Sequence, residues 1–218
     1  MTEDEKVKLI DSLENIEELE DSHFEILRKL SLDGDEYIRS CCAALLINFE
    51  NDESKLLLLQ LAKDEDSFVR TEAYDSLGVF IDSDVANFLH SVITIELDGL
   101  ARSYAILSWI DIVYMMSDNY DKEITFLKKI ERSDNNSHCL LNCCYGLYLF
   151  GENGYLDKIL SFLKHKNYQI RCSVLNLLKD IDDADNKEKI INSINIILIS
   201  ETSKAVISTA KEVLNKMF

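Results

Sequence analysis

The chain of 218 residues has no proline and only six glycines. Uninterrupted helices are therefore permitted almost everywhere, and folds that need many tight turns are disfavoured. Long apolar runs are missing as well. Stretches such as Leu56–Leu59 and Ile194–Ile199 fall far short of the roughly 20 residues that cross a bilayer. The start, "MTEDEKVKL", is acidic and lacks an apolar signal core, so no export is expected. The six cysteines, Cys41, Cys42, Cys139, Cys143, Cys144 and Cys172, lie in helical patterns. Adjacent pairs and short helical spacings suit reduced thiols better than a disulfide frame. A cytoplasmic protein is expected.

Hydrophobic residues make up 47% of the chain, which is enough for a folded core. The net charge is −17 and unevenly placed: residues 1–100 hold 25 Asp/Glu against 8 Lys/Arg, whereas residues 101–218 hold 15 of each. Such asymmetry attracts a basic partner and repels phosphate backbones and anionic lipid.

A pattern recurs. "DGDEYIRSCCAALL" and "DEDSFVRTEAYDSLG" both place an acid four residues before an arginine, an apolar residue just before it, and a small residue three after it. Arg39 and Arg70 define a slot that Arg102, Leu140, Arg171 and Ile207 fill in later copies, at spacings of 31, 32, 38, 31 and 36. A period in the thirties with helical stripes reads as stacked helix pairs. The slot opens the second helix of each pair. Positions one before, three after and seven after it share one face. The residue three after is small in most copies (Cys42, Ala73, Ala105, Cys143, Ala210), which lets helices approach closely. First helices are expected at Ser22–Leu30, Glu53–Ala62, Asp84–Ile95, Asp121–Ile130, Tyr155–Lys164 and Asn186–Leu198, preceded by an extra helix over Glu3–Leu19. Asp64 or Asp66 is placed to cap the helix that carries Arg70. A row of Asp–Arg contacts would then fix one pair on the next.

These residues resemble the HEAT repeat family, in particular the short bacterial kind also found in phycobilisome lyases. The match is carried by Asp35/Ile38-Arg39/Ala43, Asp66/Val69-Arg70/Ala73 and Asp98/Arg102/Ala105, with Ile170-Arg171 weaker. Glu36, Ser67 and Gly99 stand where the family usually has proline. The resemblance implies an all-α fold: a right-handed α-solenoid of about six helix pairs over 21–218, capped by an N-terminal helix in 1–20, forming a single domain. It implies a scaffold for binding rather than a particular chemistry.

No motif argues for catalysis. His138-Cys139-x-x-x-Cys143-Cys144 has the residue types that zinc takes, but Cys143 fills the slot that alanine fills elsewhere, as a small buried hydrophobe does. His23, His90, His138 and His165 are scattered over four repeats, with no nucleophile elbow, P-loop or dinucleotide fingerprint. "DIDDADNKE" at Asp180–Glu188 lacks the glycine and terminal glutamate of a calcium loop and reads as a linker and helix cap. No basic row offers a nucleic-acid track. Neither a metal nor a cofactor is expected.

What remains is the second-helix surface opposite the core stripe. It should present Glu72, Asp75, Tyr104, Leu107, Ile110, Asp111, Asn142, Tyr145, Tyr148 and Asn176. Acids, tyrosines and aliphatics together resemble a protein-binding groove. The expectation is a non-catalytic binding protein, monomeric when free, docking a basic protein and neither nucleic acid nor membrane. Its most concrete form is a bacterial immunity protein neutralising a toxin such as a basic nuclease. A lyase-type or chaperone-like HEAT subunit using the His138–Cys144 region, or a scaffold with several partners, is the alternative.

Overall fold

The computed structural model describes residues 1–181 and 183–217. Asp182, in the Asp-rich linker, and Phe218, at the end of the last repeat, lie outside them. Among the described residues the regular structure is entirely helical. The chain divides into two compact units, Met1–Asn119 and Tyr120–Phe218. The first unit carries 27 Asp/Glu against 9 Lys/Arg, a net of −18, and the second carries 13 against 14, a net of +1. The charge asymmetry therefore follows the structural division.

The first unit holds α1 (Glu3–Leu13) and three helix pairs: α2 (Asp21–Leu30) with α3 (Glu36–Leu46), α4 (Asp52–Leu61) with α5 (Ser67–Leu77), and α6 (Ser83–Ile93) with α7 (Gly99–Met116). The second holds α8 (Asp121–Ser133) with α9 (Ser137–Leu149), α10 (Tyr155–Ser161), which continues as a 3-10 turn over Phe162–Lys164, with α11 (Tyr168–Lys179), and α12 (Lys187–Leu198) with α13 (Lys204–Met217). The expected count of six pairs and a leading helix is met. The leading helix is shorter than expected, stopping at Leu13 rather than Leu19. The run "ENIEELE" that follows crowds like charges at helical spacing, which opposes continuation.

The second helices α3, α5, α7, α9 and α11 each start on a side-chain cap. Asp35, Asp66, Asp98, Asn136 and Asn167 accept from the amide of the residue two further on, at 2.8–3.0 Å. Each bond satisfies an orphan N–H and contributes about 1 kcal/mol. Of the two candidates at the α5 turn, Asp66 is the cap and Asp64 does something else.

The core stripe lies where the spacing put it. Ile38, Val69, Ala101, Cys139, Ile170 and Val206 are buried just before the slot, and Cys42, Ala73, Ala105, Cys143, Val174 and Ala210 are buried three after it. At seven after, Leu46, Leu77, Trp109, Leu147 and Leu178 are buried, while Leu214, on the last helix, is only half-buried.

In the first unit α3 packs on α5, and α5 on α7. Their registers match. Ser76 Oγ, six after its slot, donates to the carbonyl of Ala43, four after its own, at 2.9 Å. Gly78, eight after, faces Ser108, six after, so closely that a Cβ would lie 3.0 Å from its Oγ. Each of these contacts joins positions within two of equivalence, and the Arg39–Asp64 and Arg70–Glu96 bonds bring the helix starts together, so the three helices run the same way with near-equivalent positions side by side. Equivalent positions therefore form rows across the unit.

Candidate functional site

Most buried or half-buried carboxylates of this chain are already engaged. Arg39 sends its Nε and Nη2 to Asp64 at 2.7 and 2.9 Å. Arg70 does the same to Glu96 at 2.7 and 2.8 Å, and Arg171 to Glu201 at 2.7 and 2.8 Å. In each case the fork reaches the turn of the following repeat. The third corner, Nη1, donates back to the carbonyl six residues earlier: Asp33, Asp64 and His165, with Arg102 bonding Glu96 in the same way. The acid is also tied to its own turn, since Asp64 and Glu96 accept from the amides of Asp66 and Asp98. Arginine suits this place because its planar fork meets a carboxylate with two bonds while a further N–H serves a carbonyl. At the N-terminal end Lys6 of α1 takes the arginine's role, reaching Asp33 at 2.5 Å. The expected row of Asp–Arg contacts is therefore present, with glutamate in place of aspartate at two rungs.

One rung is different in kind. Where Leu140 fills the arginine slot, the turn position of the next repeat is His165 rather than an acid. His165 lies 3.2 Å from Ser137 Oγ through Nε2 and accepts from Asn167 N through Nδ1 at 3.1 Å. Arginine and acid are lost together there, so no uncompensated charge is left.

Burial alone would raise the pKa of Asp64 and Glu96, but the Arg39 and Arg70 forks and the turn amides outweigh it and hold both below the usual carboxylate range. Glu201 is likewise held low, chiefly by Arg171.

Glu72 and Asp75 behave in the opposite way. Both are half-buried on α5, and no ion pair or hydrogen bond reaches either carboxylate among the described residues. Burial pushes both upward, and Asp75 adds to the effect on Glu72. Across the groove to α7, the Tyr104 hydroxyl is raised by burial and then by the fields of Asp75 and Glu72. Two acids and a tyrosine thus share one patch with no cation of their own. Leu107, half-buried, lies next along the α7 face, and Asp111 is exposed beyond it.

The helical spacing extends this face toward the helix starts. On α5 it runs Phe68, Glu72, Asp75; on α7, Leu100, Tyr104, Leu107, Asp111; on α3, Tyr37, Cys41, Ala44. Tyr37, Phe68 and Leu100 occupy the same position, two before the slot, and are 49%, 47% and 44% exposed. Sequence reasoning missed this row because it counted only forward from the slot, although position minus two lies four residues, about one turn, behind plus two.

Four expected surface residues are corrected. Ile110 is fully buried in the core of the first unit. Asn142, Tyr145 and Tyr148, at 7%, 5% and 7% exposure, are buried too. Helix α9 is apolar on every side, and such a helix is enclosed rather than displayed. The Tyr148 hydroxyl donates to Asp183 and lies 3.4 Å from Asn186 Nδ2, so it orders the linker before α12. Asn176 is exposed on α11 in the second unit.

Cys139, Cys143 and Cys144 are buried, and none of them forms a disulfide among the described residues. Burial pushes the thiols of Cys143 and Cys144 up, the latter to about 11, and that of Cys42 to about 12. A protonated, enclosed thiol packs as a small hydrophobe. No cluster of three metal-ligating side chains occurs among the described residues, and no helix among them is long and apolar enough to cross a membrane.

Comparison with known proteins agrees with this architecture. The family model of HEAT repeats matches residues 23–108. A chain of the complex of CpcE and CpcF of phycocyanin lyase from Nostoc sp. PCC7120 superposes with a TM-score of 0.66 at 15% identity, covering 100% of this chain and 91% of that one. An engineered protein aligns at a TM-score of 0.41 and 14% identity over 89% of this chain and 96% of its own, a likeness too slight to bear on the fold. No curated protein sequence matches the chain. The repeat fold is thus shared along the whole chain, and the HEAT signature lies within the acidic first unit.

Proposed function

We propose that this chain is a non-catalytic binding subunit that holds a basic protein partner on the α3–α5–α7 face of its first unit. The observation that carries this reading is the pair Glu72 and Asp75. They are partly desolvated carboxylates without a cation, in a chain whose turn acids have theirs. A partner's lysine or arginine would supply the missing charge in a partly dry setting, where a charged hydrogen bond is strong. The net of −18 on this unit would steer such a partner and make association fast and salt-sensitive.

Of the finer readings, a lyase-type HEAT subunit has the better support, since the solved chain of the same fold comes from a complex of two proteins of a phycocyanin lyase. In that reading this chain contributes binding, and its buried thiols contribute packing. Neutralisation of a basic toxin rests on charge alone.

The test is isolation of the complex from source cells, identification of the bound protein, and titration of that purified protein against wild type and a Glu72→Gln/Asp75→Asn variant. Expected are a basic binding surface, an affinity that falls steeply with salt, and a loss of about tenfold or more in the variant. Equal affinity for variant and wild type would overturn the proposal.

A further inference from the structure

Two kinds of row lie side by side on the first unit. One is apolar and exposed, made of Tyr37, Phe68 and Leu100. About one turn along the same helices lies the other, with Glu72 and Asp75 on α5 and Tyr104 and Leu107 on α7. The apolar row runs across α3, α5 and α7 and the acidic row across α5 and α7, helices whose near-equivalent positions lie side by side. Parallel packed helices stand roughly 8–10 Å apart, so the apolar row has a step of that size. Nearby Ile95 and Leu97, 72% and 93% exposed in the turn before α7, widen the apolar margin.

An occupant must therefore offer apolar anchors about 10 Å apart, all pointing one way, with cations along one flank. In an extended segment about three residues cover that distance at about 3.3 Å each. Residues three apart on a strand point to opposite faces, so successive anchors would miss. A helix rises about 10 Å in seven residues and returns nearly to the same face. It also carries a basic stripe beside an apolar one, as the two rows require. From the apolar step and the adjoining acids we infer that this face receives an amphipathic helix of the partner protein. It lies across α3, α5 and α7, with apolar residues seven apart on Tyr37, Phe68 and Leu100 and a lysine or arginine between Glu72 and Asp75.

This rests on the binding role proposed above and specifies the partner's shape. Cation entry also stabilises the ionised carboxylates, which stand high in the free protein because of burial. Binding therefore releases protons in mildly acidic buffer and tightens as pH rises.

Fluorescence anisotropy on the full chain tests it with two labelled peptides of about 21 residues. One has leucines seven apart flanked by lysines and alanine elsewhere. The other has the same composition with leucine and lysine brought into strand-like alternation. The helical peptide is expected to bind saturably, and Phe68→Ala and Asp75→Asn are each expected to weaken it about tenfold. Circular dichroism checks that both variants stay folded; Phe68 and Asp75 are partly exposed, so their loss leaves the core intact. Preference for the alternating peptide, with the same two variants weakening it, overturns the helix but leaves the basic-partner reading standing. Binding of neither peptide, or binding indifferent to both variants, overturns the two together.

Discussion

Asp64, in the turn that leads into α5, and Asp75, in the last turn of that helix, have surroundings that pull them in opposite directions. Asp64 is taken by the Arg39 fork and by the amide of Asp66, and stays ionised to low pH. Asp75 has no such partner among the described residues, and burial raises it. The first arrangement is how this fold joins repeat to repeat. The second costs stability in the free chain, because burial disfavours a charge that has no partner. The comparison separates acids that hold the stack together from acids left for another molecule.

The comparison is broken most severely by removing a fork. Arg70→Met leaves Glu96, which is buried and also accepts from the Tyr74 hydroxyl at 3.0 Å, in the condition of Asp75 but deeper. Stability should fall by about 3–5 kcal/mol in urea unfolding. Removing both charges, with Arg70→Met and Glu96→Gln together, should recover most of that loss, since an uncompensated charge costs more than an absent pair.

Neutralising the other population should have the opposite sign. Glu72→Gln/Asp75→Asn should stabilise the free chain by about 1 kcal/mol at pH 7. Linkage fixes the pH dependence. For a carboxyl raised in the folded state, the native chain is favoured below the unfolded pKa, near 4, and that contribution is lost as pH rises through the folded value. The gain from the double variant should therefore shrink to nothing as pH falls below about 4. The arginine-paired acids run the other way. Their contribution is present above the unfolded values of 3.8 and 4.5 and is lost as pH falls through the lowered folded ones. Wild type should accordingly lose stability on acidification. A double variant that stabilised more at pH 4 than at pH 7 would reverse the assignment.

A smaller effect sharpens the account of the ladder. Leu140→Arg with His165→Glu installs the missing rung. Its double-mutant cycle should show a favourable coupling of about 0.5 kcal/mol, with neither single change favourable alone. Zero coupling would mean that this turn differs in shape and not only in residue type.

Much of the fold is legible in the amino-acid sequence. The arginine slot, the capping acids Asp35, Asp66 and Asp98, and the small residues three after the slot each follow a local rule, so the helix pairs can be counted from sequence. The acid that meets each fork is less legible. It lies 25 to 30 residues away and changes between aspartate and glutamate, so no short motif announces it. Tyr145 and Tyr148 mislead because slot arithmetic places them opposite the core stripe. The apolar character of α9 on all sides is the better guide, and it points to burial. Glu72, Asp75 and Tyr104 are neighbours, as their spacing implies, but that the two acids lack a partner depends on what the rest of the chain does not bring near them.

The most direct test is a carbon-13 NMR titration of the Asp75 carboxyl in the full chain, alone and with the lysine-flanked helical peptide. The account predicts a midpoint above the ordinary 3.8 in the free protein and a downward shift when the peptide is bound. A free midpoint at or below 3.8, or one that the saturating peptide leaves in place, would contradict it.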